Sequence, residues 1–85
     1  MEIVTTKETD KFILKQDKST RIRLTNEISE IRKMKSHKSL EGYPFFKKRV
    51  GKYRIIYSMK EKIITVIIVG NRGQIYKYLK RLRRR

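Results

Sequence analysis

Five residues in the second half of the chain have types and spacing suited to chemistry on a phosphodiester: Lys47, Arg49, Arg54, Arg72 and Tyr76. Lys47 and Arg49 are two apart, so a strand would point both to one face. Gly51-Lys52 suits a tight turn, and a hairpin folded there would return Arg54 to that face. Arg72 leaves the next apolar run, and Tyr76 follows it by one helical turn. Four cations and a phenol so gathered make a phosphate site. When a 2′-hydroxyl attacks its own phosphate, a phosphorane with added negative charge forms. Arginine forks hold such oxygens bidentately, and donors fixed in advance around them are usually the largest catalytic contribution.

That reaction also needs a base for the 2′-hydroxyl proton and an acid for the departing 5′-oxygen, normally histidines. The one histidine, His37, falls in a loop and reads as solvent-exposed. Other groups must serve. A lysine crowded by cations loses its proton more readily, and Lys47 is assigned that task. Tyr76 is suited to stacking on a base, as aromatics do in RNA recognition. Lys48, Lys52, Lys77, Arg81 and Arg83 read as auxiliary RNA contacts. Attraction to phosphate accounts for the terminal Arg83-Arg84-Arg85. No metal site and no cofactor are expected.

Charge supports a polyanionic partner. The net charge is +16. Residues 1–41 hold ten Lys/Arg against seven acids, net +3, whereas residues 42–85 hold fourteen against Glu61 alone, net +13. Solubility alone would spread charge evenly; its concentration favours nucleic acid, with an acidic protein as the competitor. The 85 residues suffice for one domain with a thin core. The lack of cysteine suits a reducing cytoplasm. No apolar run approaches a membrane span, and Met1-Glu2-Ile3-Val4 lacks the features of a signal peptide.

The elements that must position the five residues follow in order. Glu2 to Thr6 suits a short strand. Thr5-Thr6-Lys7-Glu8 has the form of a capping box, opening a helix from about Lys7 to Gln16. A second helix is expected over about Ser19–Lys35, with Leu24, Ile28, Ile31 and Met34 as one apolar stripe. Ser36 to Pro44 reads as a loop. Three strands follow, about Phe45–Val50, Tyr53–Met59 and Ile63–Val69, with Lys60-Glu61-Lys62 as the second turn. The third is nearly all apolar, as a central strand would be. A last helix from about Gly73 carries Ile75, Leu79 and Leu82. The expected class is α+β in a single domain over residues 1–85, in the order βααβββα. The sheet is small, twisted and mainly antiparallel, with a helical hairpin on one face and the other face open.

Val50-Gly51-Lys52-Tyr53-Arg54-Ile55-Ile56-Tyr57, then Val69-Gly70-Asn71-Arg72 and Ile75-Tyr76, resembles the RelE/ParE toxin superfamily. The resemblance covers about residues 46–77. It implies the toxin of a toxin–antitoxin pair, with an acidic antitoxin in a hetero-oligomeric complex. RelE-type members enter the ribosomal A site and cleave mRNA there with Lys, Arg and Tyr, so mRNA and the ribosome, with its rRNA, are the implied partners. By position, Lys47 and Arg49 match the basic residues of the first catalytic strand. Arg54 matches the phosphate-binding arginine, Arg72 the arginine after the central strand, and Tyr76 the helix-start tyrosine. The chain departs from the pattern at Asn71, where many members have His, and at Gly73. Two alternatives stand beside the endoribonuclease: a ParE-like toxin that binds DNA gyrase, and an RNA-binding module without chemistry.

Overall fold

Strand β1 (Glu2–Thr5) opens the chain, followed by helices α1 (Lys7–Leu14) and α2 (Lys18–Glu30) and a single 3-10 turn, Ile31–Lys33. Strands β2 (Lys38–Ser39), β3 (Phe46–Val50), β4 (Tyr53–Lys60) and β5 (Ile63–Asn71) follow, and α3 (Arg72–Arg83) closes the fold. This is a computed structural model, and it describes residues 1–83, without the side chain of Arg83. Arg84, Arg85 and that side chain, given a phosphate-binding reading above, lie outside what is described. The strands form one sheet in the order β1-β5-β4-β3-β2. β1 runs parallel to β5 and every other pair is antiparallel. The α+β class and element order are as expected, with the two-residue β2 added.

Helix starts are set by side-chain caps. Thr6, not Thr5, caps α1: its hydroxyl oxygen accepts from Thr9 N at 3.2 Å. Asp17 caps α2 by accepting from Thr20 N at 2.8 Å, and this holds its carboxyl below the usual range. α2 ends in the 3-10 turn, earlier than the periodicity suggests, and Met34 is already extended.

The helices α1 and α2 cover one sheet face. Leu24, Ile28 and Ile31 bury the predicted stripe against Ile55, Tyr57, Ile64, Val66 and Val69. Each such side chain contributes about 1.5–3 kcal/mol on full burial. The opposite face is not left open. Ile75 and Leu79 of α3 pack there on Ile56, flanked by Leu40, Tyr43 and Phe45. The last helix is amphipathic and has nowhere else to bury its apolar side, so the display surface shrinks to the part of β3 and β4 that α3 leaves uncovered.

One irregularity ties the two layers together. The β4–β5 register slips after Ile56: Ile56 pairs with Ile68 but Tyr57 pairs with Val66, leaving Ile67 as the extra residue of a bulge. Two β5 carbonyls at this point are met from the start of α1 and its N-cap. Val66 O accepts from Thr6 N and from the fully buried Thr9 hydroxyl at 3.1 Å, and Ile67 O accepts from the Thr6 hydroxyl at 2.7 Å. The β4–β5 turn is shorter than expected. Lys60 pairs with Ile63, so only Glu61 and Lys62 remain, both at positive φ (50° and 67°).

Candidate active site

The hairpin of β3 and β4 turns on Gly51-Lys52, with Val50 paired to Tyr53 and Gly51 at φ 59°. That register places Arg49 directly opposite Arg54, and Lys47 opposite Ile56. Cross-strand partners share a face, so Lys47, Arg49 and Arg54 stand together on the face that α3 half covers. Arg49 is exposed, whereas Lys47 and Arg54 are half-buried.

Arg72 and Tyr76 arrive from β5 by way of a cap. Asn71 Oδ1 accepts from Gln74 N at 2.9 Å, and Gln74 Oε1 accepts from Asn71 N at 2.9 Å. This reciprocal pair is a capping box with Asn71 as the N-cap. Gly70, opposite Arg54, leaves space for it; a Cβ there would stand 2.9 Å from Gln74 Oε1. The box makes Arg72 the first helical residue. Its guanidinium carbon lies 5.5 Å from the Tyr76 ring centre. The guanidinium of Arg72 first, and that of Arg54 after it, hold the Tyr76 phenol below its ordinary pKa by hydrogen bonding and by charge. Arg54 of β4 therefore meets Arg72 and Tyr76 of α3 at the Tyr76 phenol, so one strand and one helix supply the three. No ion pair joins Arg72 to Glu61 or Glu41 among the described residues.

Beside this point lies a groove of about 410 Å³ lined by Met34, Ser36, Lys38, Lys47, Lys48, Arg49 and Arg54. Lys38 is a residue that the sequence alone does not single out. It pairs with Lys47 across β2–β3 and so joins the cationic face. The signal for it is weak: two residues of strand inside a segment that reads as loop.

His37 is not free in solvent. It is half-buried, its ring 5.7 Å from those of Phe46 and Tyr57, and its Nδ1 is 2.7 Å from the Tyr57 hydroxyl. Burial pushes the Tyr57 phenol up. His37 thus fastens the segment that carries Lys38.

Of the auxiliary cations, Lys48 borders the groove, whereas Lys52, Lys77 and Arg81 stand apart from the five. Lys48 points to the helices, where its ammonium donates to Glu27 O at 2.8 Å and lies 3.3 Å from the Glu27 carboxylate. Lys52 is exposed at the turn, over the Tyr53 ring. Lys77 and Arg81 line a different cleft, between α1 and α3, with Lys11 and Lys15. No group of three His, Cys, Asp or Glu stands ready to hold a metal among the described residues. No described helix is long and apolar enough to cross a membrane.

No family model matches the sequence, and no curated protein matches it significantly. Solved structures do resemble it in shape. A chain of the RelB–RelE antitoxin–toxin complex from Methanococcus jannaschii superposes with a TM-score of 0.69 at 26% identity, covering 88% of this chain and 96% of that one. The intact E. coli RelBE toxin–antitoxin complex gives 0.71 at 21%, covering 82% and 94%. A mutant of E. coli RelE in the free state gives 0.73 at 21%, covering 98% and 95%.

Proposed function

From its place by fold in the RelE-like toxin superfamily, we infer that this chain is the toxin of a toxin–antitoxin pair and an endoribonuclease acting on mRNA in the ribosomal A site. The observation that carries the reading is the meeting of Arg54 and Arg72 at the Tyr76 phenol, next to Lys47 and Arg49. A packing tyrosine has no need of two guanidinium groups, whereas a phosphorane does.

In this mechanism the 2′-hydroxyl of the codon loses its proton to Lys47 as its oxygen attacks the adjacent phosphorus. Arg54 and Arg72 hold the non-bridging oxygens while the extra charge is present. The bond from phosphorus to the 5′-oxygen breaks, and that oxygen takes a proton from Tyr76. The products are a 2′,3′-cyclic phosphate and a 5′-hydroxyl. Lowering the phenol's pKa makes it a stronger acid, which suits proton donation near neutral pH. Exposure of the Tyr76 ring also lets a base stack on it.

The partner in the resting state is an acidic antitoxin. The net charge of +16 is uncompensated within the chain, so an anionic protein gains by covering the β3–β4 face or by displacing α3 from Ile56. Amide exchange in a purified complex reads this directly, since residues 45–76 or α3 gain or lose protection.

The test uses purified protein, ribosomes programmed with a defined mRNA, and the same mRNA free. The reading expects one cut in the A-site codon ending in a cyclic phosphate, absent with Arg54→Ala. An uncut message, together with gyrase-linked DNA breaks on expression, overturns it in favour of a gyrase-binding toxin.

A further inference from the structure

We propose that the groove beside β3 is a second phosphate subsite, in which Lys38 holds a phosphate of single-stranded RNA that flanks the scissile one. The proposal rests on the nuclease reading for which phosphate is scissile; the existence of the subsite does not.

Lys38 is well placed for this. Lys38 and Arg54 are separated by two strand spacings across the sheet and two residues along it. That sets their Cα atoms about 12 Å apart. Lys38 thus lies beyond the meeting point of Arg54, Arg72 and Tyr76, at the far end of a groove that Arg54 also lines. A strand whose scissile phosphate sits at Arg54 must continue somewhere, and this groove continues from that arginine.

The groove is also uniformly cationic. Lys38, Lys47, Lys48, Arg49 and Arg54 all line it and, among the described residues, no acid does. The Glu27 carboxylate, which is not part of the lining, is engaged by Lys48 at 3.3 Å. Like charges directly opposite each other cost stability, and here two such pairs adjoin, Lys38 with Lys47 and Arg49 with Arg54. An anion between them removes that repulsion.

The backbone that carries Lys38 is held in advance. Lys38 follows His37, which is fixed by Phe46 and by the buried Tyr57 hydroxyl. Leu40, two residues on, accepts the hydrogen bond of Tyr43 N through its carbonyl and donates its own N–H to Phe45 O at 2.9 Å. A lysine between two such anchors presents its ammonium without ordering a loop. On the helix side, half-buried Met34 gives the groove an apolar wall against which a base can lie.

The test measures binding of the intact protein to a fluorescein-labelled 2′-O-methyl RNA 12-mer, which lacks the attacking hydroxyl, over a range of salt. Removing one cation that neutralises a phosphate lowers the slope of log affinity against log salt by about 0.7. Lys38→Ala is expected to flatten the slope by that amount, Lys38→Arg to restore it, and Lys60→Ala, at the far end of β4, to leave it unchanged. An unchanged slope in Lys38→Ala overturns the proposal. So does equal flattening by Lys60→Ala, which reports net charge alone. Equal loss of affinity for an oligoglutamate of matched charge also overturns it, by assigning Lys38 to an acidic protein. A protein that shows the Lys38 effect but cuts no mRNA on ribosomes keeps the subsite and loses the nuclease reading. One that cuts mRNA without the effect does the reverse.

Discussion

Arg49 and Arg54 face each other directly across β3 and β4, two guanidinium groups at opposed positions of an antiparallel pair. Nothing in folding favours that arrangement, since like charges in register repel. Arg49→Thr should therefore stabilise the protein by about 0.5 kcal/mol, removing the repulsion and adding a β-branched residue. The same change removes a phosphate donor and should slow cleavage about tenfold or more. Urea unfolding beside a cleavage assay measures both, and the two effects should have opposite signs.

The capping box predicts a graded response around the last helix. Asn71→Ala should cost about 1 kcal/mol, and by loosening the start of α3 it should shift Arg72 and Tyr76 and lower activity. Gly70→Ala drives a Cβ to within 2.9 Å of Gln74 Oε1 and should damage the same box. Gly73→Ala, by contrast, meets only Asn71 Oδ1 at 3.6 Å. It should stabilise the helix by about 0.5–1 kcal/mol with activity kept. Thermal unfolding and cleavage of the three variants give the ordering.

Two tyrosines should titrate on opposite sides of the ordinary value of about 10. Tyr76 ionises below it because Arg72 and Arg54 favour the phenolate, and Tyr57 above it because burial opposes charge. The linkage signs differ accordingly. The Tyr76 contribution to stability is present above the unfolded pKa and is lost as pH falls through the lowered folded value. The Tyr57 contribution is present below the unfolded pKa and is lost as pH rises through the raised folded value. Phenolate absorbance should show an early component that disappears in Tyr76→Phe and moves up in Arg72→Ala. The cleavage rate should fall as pH rises through the same early component.

Thr9 is a buried polar side chain that donates to Val66 O beside the bulge at Ile67. Thr9→Val keeps its shape but leaves Val66 O with the Thr6 N–H alone. The expected loss is about 1–2 kcal/mol, with exchange of the α1 and β5 amides accelerated together.

What can be read from the sequence follows from short-range rules. Period-2 alternation puts Lys47, Arg49 and Arg54 on one face, and it also puts Lys48 with Phe46 and Val50, which are on the helix side in the structure. Lys48 nonetheless borders the groove beside β3, because that groove is lined from both faces of the strand. The stripe from Leu24 to Ile31 is legible because each residue repeats at helical spacing. The features that escape depend on pairing between distant segments. The bulge at Ile67 exists only against β4, and Lys38 enters the site only because β2 pairs with β3. His37 looks free in the sequence because its partner, Tyr57, is twenty residues away. The Asn71–Gln74 box is local and legible in principle, but comparison with the toxin pattern presents Asn71 as a catalytic position lacking its histidine rather than as a cap.

If Arg54 and Arg72 meet at Tyr76 to cut RNA on the ribosome, the products are the place to look. The decisive measurement maps the 5′ ends of mRNA on ribosomes after brief expression, wild type beside Arg54→Ala. New 5′-hydroxyl ends are expected within A-site codons for the wild type and none for the variant, with the variant folded and growth unimpaired. Growth arrest by Arg54→Ala with its mRNA intact, or equal cutting by both proteins, would contradict a role for that meeting point in cleavage.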